Sequence, residues 1–176
     1  MFLILTKDMF FLNAMIHILK RHKVIHITSE EQICEQLHKG ARAIVDTYNN
    51  NIFHTSIGIK LKKLKLTHAI VISPFVIKKC IGNTPTIFFD RENSVMDFLH
   101  SIDRKHYTLN SKTISFSHKQ HLILTLIMQE IPGETISEIL NISRKTFYSH
   151  KYNIMLLLKL RKMCELVNLH LSHYLR

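Results

Sequence analysis

The stretch Ile142-Ser143-Arg144-Lys145-Thr146-Phe147-Tyr148-Ser149-His150-Lys151-Tyr152-Asn153-Ile154-Met155 constrains this chain most. Ser143 is placed to cap a helix, its hydroxyl within reach of the amides two or three residues on. Phe147, Ile154 and Leu158 then recur at helical spacing and can face a core. The opposite side carries Arg144, Lys145, Lys151, Tyr148 and Tyr152. No acid interrupts Ser143 to Cys164, while Arg144, Lys145, Lys151, Lys159, Arg161 and Lys162 all lie inside it. A helix with one apolar face and one basic, hydrogen-bonding face fits a groove walled by phosphates.

The remaining composition agrees with a polyanion as partner. The 176 residues suffice for one large domain or two small ones, and 46% hydrophobic content supplies real cores. The formal net charge is +11; nucleic acid leads the partners such a charge suits, with a membrane surface as rival. Three cysteines, at 34, 80 and 164, have no paired spacing, which points to a reducing compartment and a cytoplasmic protein. The apolar start is broken by Lys7 and Asp8, so a signal peptide is not expected, and no uncharged run reaches the length of a membrane span. No phosphate-cradling loop, nucleophile elbow or paired-carboxylate signature occurs, so the chain reads as no enzyme and needs no cofactor.

Two patterns divide the chain. Over residues 1–103, strands alternate with helices, as in a parallel sheet covered on both faces. Strands are predicted over Phe2–Thr6, Val24–Thr28, Ala43–Thr47, His68–Ser73 and Thr86–Phe89. Helices are predicted over Met9–Lys20, Ser29–His38, Ile52–Leu64 and Ser94–Ile102. Residues 104–115 are polar and read as a linker. Residues 116–176 read as all helix: Ser117–Glu130, a Pro132-Gly133 turn, Glu134–Leu140, a tight turn, the helix from Ser143, and a last helix over Lys162–Tyr174.

The helical part resembles the four-helix helix-turn-helix domain of the LuxR family of bacterial transcription regulators. Ile136-Ser137-Glu138-Ile139-Leu140-Asn141-Ile142-Ser143 matches the family's Ile-Ala-x-x-Leu-x-Ile-Ser, and Thr146-Phe147-x-x-His150-x-x-x-Ile154 matches its Thr-Val-x-x-His-x-x-x-Ile. Lys119-Gln120 stands where the family has Arg-Glu, and Leu157 where a lysine is usual. The resemblance implies double-stranded DNA as partner, with Tyr148, Ser149 and Tyr152 at base edges. Arg144, Lys145, Thr146 and Lys151 are expected at phosphates; His150 is placed there too, or packs the helix. It also implies a homodimer through the last helix, with Met163, Leu166 and His170 as contact residues; the alternative is that these pack internally and the dimer forms elsewhere. Over nearly its full length the chain resembles, more narrowly, enterobacterial regulators of acid resistance and related dicarboxylate-transport regulators. The cues are Met1-Phe-Leu-Ile-Leu-Thr-Lys-Asp8, Ile44-Val45-Asp46-Thr47 and Lys151-x-Asn153-Ile154-Met155 with Lys159-Leu160-Arg161.

The first hundred residues resemble the receiver domain of response regulators, in degenerate form. Asp46 sits where that fold keeps its phosphoacceptor and Ser73 where it keeps a hydroxyl, but Arg91 replaces the lysine. Thr6-Lys7-Asp8 stands where adjacent acids hold magnesium, with Asp8 one residue too far along. Asp46 is therefore read as phosphoacceptor-like but inactive, a strand-end aspartate bonding the next turn. Thirteen histidines could act as a pH switch, though scattered surface and core positions explain them as well. His118 and His121 lack a third ligand nearby, so no metal is expected. The Lys60–Lys65 cluster is expected to be a solvated helix face rather than a second DNA site. The leading expectation is a dimeric, sequence-specific transcription regulator of acid-resistance or related stress or metabolic genes. The alternatives are a heterodimer with another LuxR-type regulator and a phosphorylatable response regulator.

Overall fold

The computed structural model describes residues 1–48, 56–91, 93–103 and 114–169, with backbone alone at 37, 103 and 167–169. A parallel five-stranded sheet in the order β2-β1-β3-β4-β6 is built from β1 Phe2–Leu5, β2 Val24–His26, β3 Arg42–Asp46, β4 His68–Ile72 and β6 Thr86–Phe89. The register runs Leu3↔Ala43, Ala43↔Ala69 and Ile70↔Ile87. Because successive side chains point to opposite faces, each strand feeds two cores. Leu3, Leu5, Ala43, Val45, Val71 and Phe88 enter one, covered by α3 Ser56–Lys63 through Leu61. Phe2, Ile4, Ile44, Ile70 and Phe89 enter the other. That second core is closed by Leu12 and Met15 of α1 Met9–Ile18 and by Phe98 and Ile102 of α4 Val95–Asp103. Strands buried on both sides explain their near-continuous apolar sequence.

Two expectations for this half change. The helix expected over Ser29–His38 is a 3-10 turn, Glu30–Gln32, and a separate short helix, α2 Glu35–His38. The Gln32 side chain turns back to accept from the Thr28 and Ser29 amides, at 2.7 and 3.2 Å. Ile33 is then extended and buried in the sheet core, which interrupts the helix. The helix expected from Ile52 begins, among the described residues, at Ser56; 49–55 lie outside them. Lys60 and Lys62 of the lysine cluster are half-buried rather than fully solvated. Lys60 donates to the Glu30 carbonyl and Lys62 lies 3.4 Å from His118 Nε2.

The helical half contains α5 His118–Met128, α6 Gly133–Ile139, α7 Arg144–Leu157 and a 3-10 helix, Met163–Leu169. An α-helix was expected over Lys162–Tyr174; the described part is 3-10 instead, and 170–176 lie outside the described residues. The i, i+3 spacing of Met163 and Leu166 stacks both on one side of a 3-10 helix, toward the same core. Among the described residues no helix is long and apolar enough to cross a membrane.

A short ladder absent from the sequence reading joins the halves. β5 Val76–Lys78, between β4 and β6, pairs in parallel with β7 Ser115–Ser117. The expected linker thus ends in a strand at Ser115, and its earlier residues up to 113 lie outside the described set. Phe75 leaves the sheet domain and packs edge-on against Phe116, ring centroids 5.0 Å apart, inside the helical core. Replacing Phe75 by Ala should lower global stability by about 3–5 kcal/mol. Chemical denaturation followed by far-UV circular dichroism measures this; a loss under about 1 kcal/mol would remove Phe75 from the shared core.

Candidate nucleic-acid interface

Each helix of the C-terminal half starts where its sequence provides a cap. Ser117 and Gln120 form a capping box, with Gln120 N donating to Ser117 Oγ at 3.1 Å and Ser117 N to Gln120 Oε1 at 2.8 Å. α6 follows Pro132. A Cβ at Gly133 would lie 2.6 Å from Phe147 Cε1, so this glycine sets how closely α6 meets α7. Ser137, buried, returns its hydroxyl to the Gly133 carbonyl. Asn141 ends α6 in the left-handed region, φ 48, which asparagine tolerates better than most residues. The Ile142 amide then donates to the Ser137 carbonyl. Ser143 starts α7, accepting from Thr146 N at 3.1 Å, as its sequence position suggested.

α7 is fixed from beneath by Phe147, Ile154 and Leu158, all buried in one core with Phe116, Ile123, Leu124 and Ile136. Its outer side presents Tyr148 and Tyr152, 60% and 62% exposed, beside exposed Arg144, Lys145, Thr146 and Ser149. Neither tyrosine packs into the core. Lys151 is half-buried, its ammonium 5.9 Å from the centroid of the Tyr148 ring, and His150 is half-buried too. Arg144 meets Glu134 at 3.0 Å, but both side chains are more than half exposed, so the pair is weak and leaves the guanidinium available to a phosphate. Lys145 has no carboxylate partner among the described residues. Thr146 Oγ1 lies 2.8 Å from Ser143 Oγ, which ties that hydroxyl to the cap.

The residues expected to form a dimer contact do not share a free surface. Leu166 is 2% exposed and belongs to the helical domain's own core, which withdraws it from a partner contact. Met163 is half-buried against that core, and His170 lies outside the described residues.

The receiver-like site is assembled and filled. Asp46 is fully buried; its Oδ2 accepts from Thr6 Oγ1 at 2.6 Å and from Arg91 Nη2 at 2.7 Å, and its Oδ1 from the Tyr48 amide at 3.1 Å. Asp8, expected to lie too far along, reaches the same arginine at 3.1 Å while capping α1 through Phe11 N. The Phe11 amide, with Arg91, holds the Asp8 carboxyl below the usual aspartate range. Burial pushes the Asp46 carboxyl up, against the opposing pull of Thr6, Arg91 and the Tyr48 amide. Arg91 also stacks on Tyr48 and Phe11, 4.6 and 5.1 Å from their centroids. Ser73 is buried and accepts from the Phe75 amide. Thr6 is legible in sequence at this site only as a stand-in for an expected acid, and Phe11 carries no signal in sequence as part of this cluster. Among the described residues, no three His, Cys, Asp or Glu gather as a metal would require.

Removing the guanidinium leaves a buried carboxylate without its cation, and the acid is relieved once it takes up a proton. Burial raises the Asp46 carboxyl and Arg91 lowers it, so losing Arg91 raises it further; the penalty is full at neutral pH, where the acid is ionised, and fades as pH falls and the acid takes up its proton. Arg91→Met should therefore cost about 3 kcal/mol near pH 7 and distinctly less near about pH 4.5. Denaturant titrations at both pH values check it; an equal cost at both would mean that Arg91 is not the counter-ion.

Comparison with known proteins fits these two halves. Residues 1–112 match the GadE/DctR transcriptional regulator N-terminal domain, and residues 114–170 match the luxR family of bacterial regulatory proteins. The chain is 42% identical over 167 residues to the HTH-type transcriptional regulator DctR of Escherichia coli (strain K12), covering 95% of each protein. It is 33% identical over 174 residues to the transcriptional regulator GadE of the same strain, covering 99% of each. In fold it is similar to RcsB solved as two dimers bound to two parallel DNAs, with TM-score 0.61, 17% identity, and 99% of this chain and 97% of that chain covered. The match extends over both halves, and the chain belongs to the GadE/DctR family of transcriptional regulators.

Proposed function

We propose that this protein is a cytoplasmic, dimeric, sequence-specific DNA-binding regulator of acid-resistance or related stress and metabolic genes. The exposed face of α7 carries the reading: two tyrosines and a serine among Arg144, Lys145 and Lys151, on a helix with no acid, held by a buried apolar stripe. Tyr148, Ser149 and Tyr152 at i, i+1 and i+4 share one side and serve as base-reading groups. Each tyrosine offers a ring to a thymine methyl and a hydroxyl to a base edge. Arg144, Lys145, Thr146, His150 and Lys151 serve as phosphate contacts around them, near a helix N-terminus whose amides also favour an anion. The targets are proposed from the full-length resemblance to acid-resistance regulators.

The phosphorylated alternative is disfavoured by the closed site. A phosphoryl acceptor needs a free carboxylate oxygen, and Asp46 Oδ2 is buried between Thr6 and Arg91. The N-terminal domain therefore serves as a platform for a protein partner.

Base and phosphate roles separate by measurement. Tyr152→Ala should weaken binding to the protein's own operator, found by footprinting on genomic fragments, by about 1–3 kcal/mol and leave random DNA nearly unchanged. Equal loss on both would assign Tyr152 to backbone contact or folding. Lys145→Ala should weaken binding to all sequences alike and reduce the slope of log K against log salt by about 1. An unaltered slope would take Lys145 off the phosphate list.

A further inference from the structure

Across the seam between the two halves, Lys62 Nζ of α3 lies 3.4 Å from Nε2 of His118, the first residue of α5. Both side chains are half-buried. An ammonium has three donors and no acceptor, so Nε2 must offer it a lone pair. A neutral imidazole does so with its proton on Nδ1. A protonated ring has a donor on each nitrogen and cannot. The contact therefore exists in one protonation state only. Once His118 takes up a proton, two cations meet where water screens them only in part. The ammonium can avoid the charged ring only by giving up the contact.

The elements packed around this pair bring mostly bases to it. β5 contributes Lys78, opposite Ser117 in the ladder, with Lys79 directly after it. β7 has no titratable residue, and α5 itself adds Lys119 and His121. Cys80 is buried, and burial pushes its thiol up to about 12, so it carries no charge to offset them. α6 and α7 meet α5 through Ile136, Phe147 and Ile154. The acids of α6 are exposed, with Glu134 turned to Arg144, and α7 has no acid. Burial and the Lys62 ammonium, in that order, hold the His118 ring below its ordinary value of 6.5. The folded chain thus takes up this proton less readily than the unfolded one. The stability that the contact adds is present above 6.5 and is lost as pH falls through 6.5 toward the lower folded value.

His118 directly follows β7, whose ladder with β5 ties the helical domain to the sheet domain, and α5 shares its core with α7. A change at this contact therefore acts on the seat of α7. We propose that the Lys62–His118 contact is a pH-sensitive latch between the two halves, closed while His118 is neutral and released when the ring takes up a proton, so that acidification loosens the helical domain on the sheet domain. The latch needs no ligand and no partner, and it goes beyond the DNA-binding reading.

Hydrogen exchange of the full chain, read by mass spectrometry near about pH 7.5 and about pH 5.5 and corrected for the intrinsic pH dependence of exchange, tests the latch. In wild type, peptides covering Val76–Lys78, Ser115–Ser117 and the first turn of α5 should exchange roughly 5-fold faster at the lower pH, the scale of one lost hydrogen bond, while β1 serves as the unchanged reference. His118→Gln keeps an acceptor but takes up no proton, so it should lose the acceleration. In an imidazole titration by NMR, the His118 signal is identified by its absence from His118→Gln. Its midpoint should lie below 6.5 in wild type and rise in Lys62→Met. A wild-type midpoint at or above 6.5, or equal acceleration in wild type and His118→Gln, would overturn the latch. If His118→Gln does not keep the wild-type circular dichroism spectrum, Lys62→Met decides, and an unmoved midpoint there overturns it. None of these readouts involves DNA, so failure of the DNA-regulator reading and failure of the latch are told apart.

Discussion

The ladder of three residues between Val76–Lys78 and Ser115–Ser117 determines how the two halves of this protein relate. Ile77 enters the sheet core, while Phe75 just before it and Phe116 on the partner strand enter the helical core. Two domains joined only by a polar linker would reorient freely. Here the first residue of α5 directly follows β7, and β7 is bonded to the sheet domain, so the helical domain is seated from its first turn. The position of α7, and with it the tyrosine face, is inherited from that seat.

A second constraint is electrostatic. The carboxyl ends of parallel strands are where an α/β sheet gathers polar groups, and this sheet brings Asp46 and Asp8 together there. Two acids so close need a cation. Arg91 supplies it from within the chain, with Tyr48 and Phe11 stacked on its plane. A guanidinium suits this position because its fork can bond two carboxylates at once. It also occupies Asp46 Oδ2, the oxygen that Thr6 shares.

Much of this was legible in sequence, for a physical reason. Strands buried on both faces show continuous apolar runs, and all five strands of the main sheet fell where those runs predicted. The Ser143 cap and the Phe147-Ile154-Leu158 stripe were readable because caps and helical periodicity are local. What escaped depends on contacts far apart in the chain. β5 and β7 are three residues each, too short to show alternation, and exist only because they meet each other. The break at Ile33 reflects a demand of the sheet core on a segment whose own composition is helical. Asp8 looked misplaced by one residue because residue counting ignores the reach of an arginine from the far side of the sheet. Helical spacing alone could not choose between a partner contact and internal packing for Leu166, and the domain's own core takes it.

Tyr48 connects the two constraints. Its ring packs against both the α1/α4 core and the helical core, its amide bonds Asp46, its hydroxyl bonds Asp90, and Arg91 lies on its face. The filled acidic site is therefore in direct contact with the seat of the DNA-facing domain. In a receiver that cycles, such a contact would transmit the state of the aspartate. Here Arg91 holds the aspartate in one state, and the same contact becomes a brace.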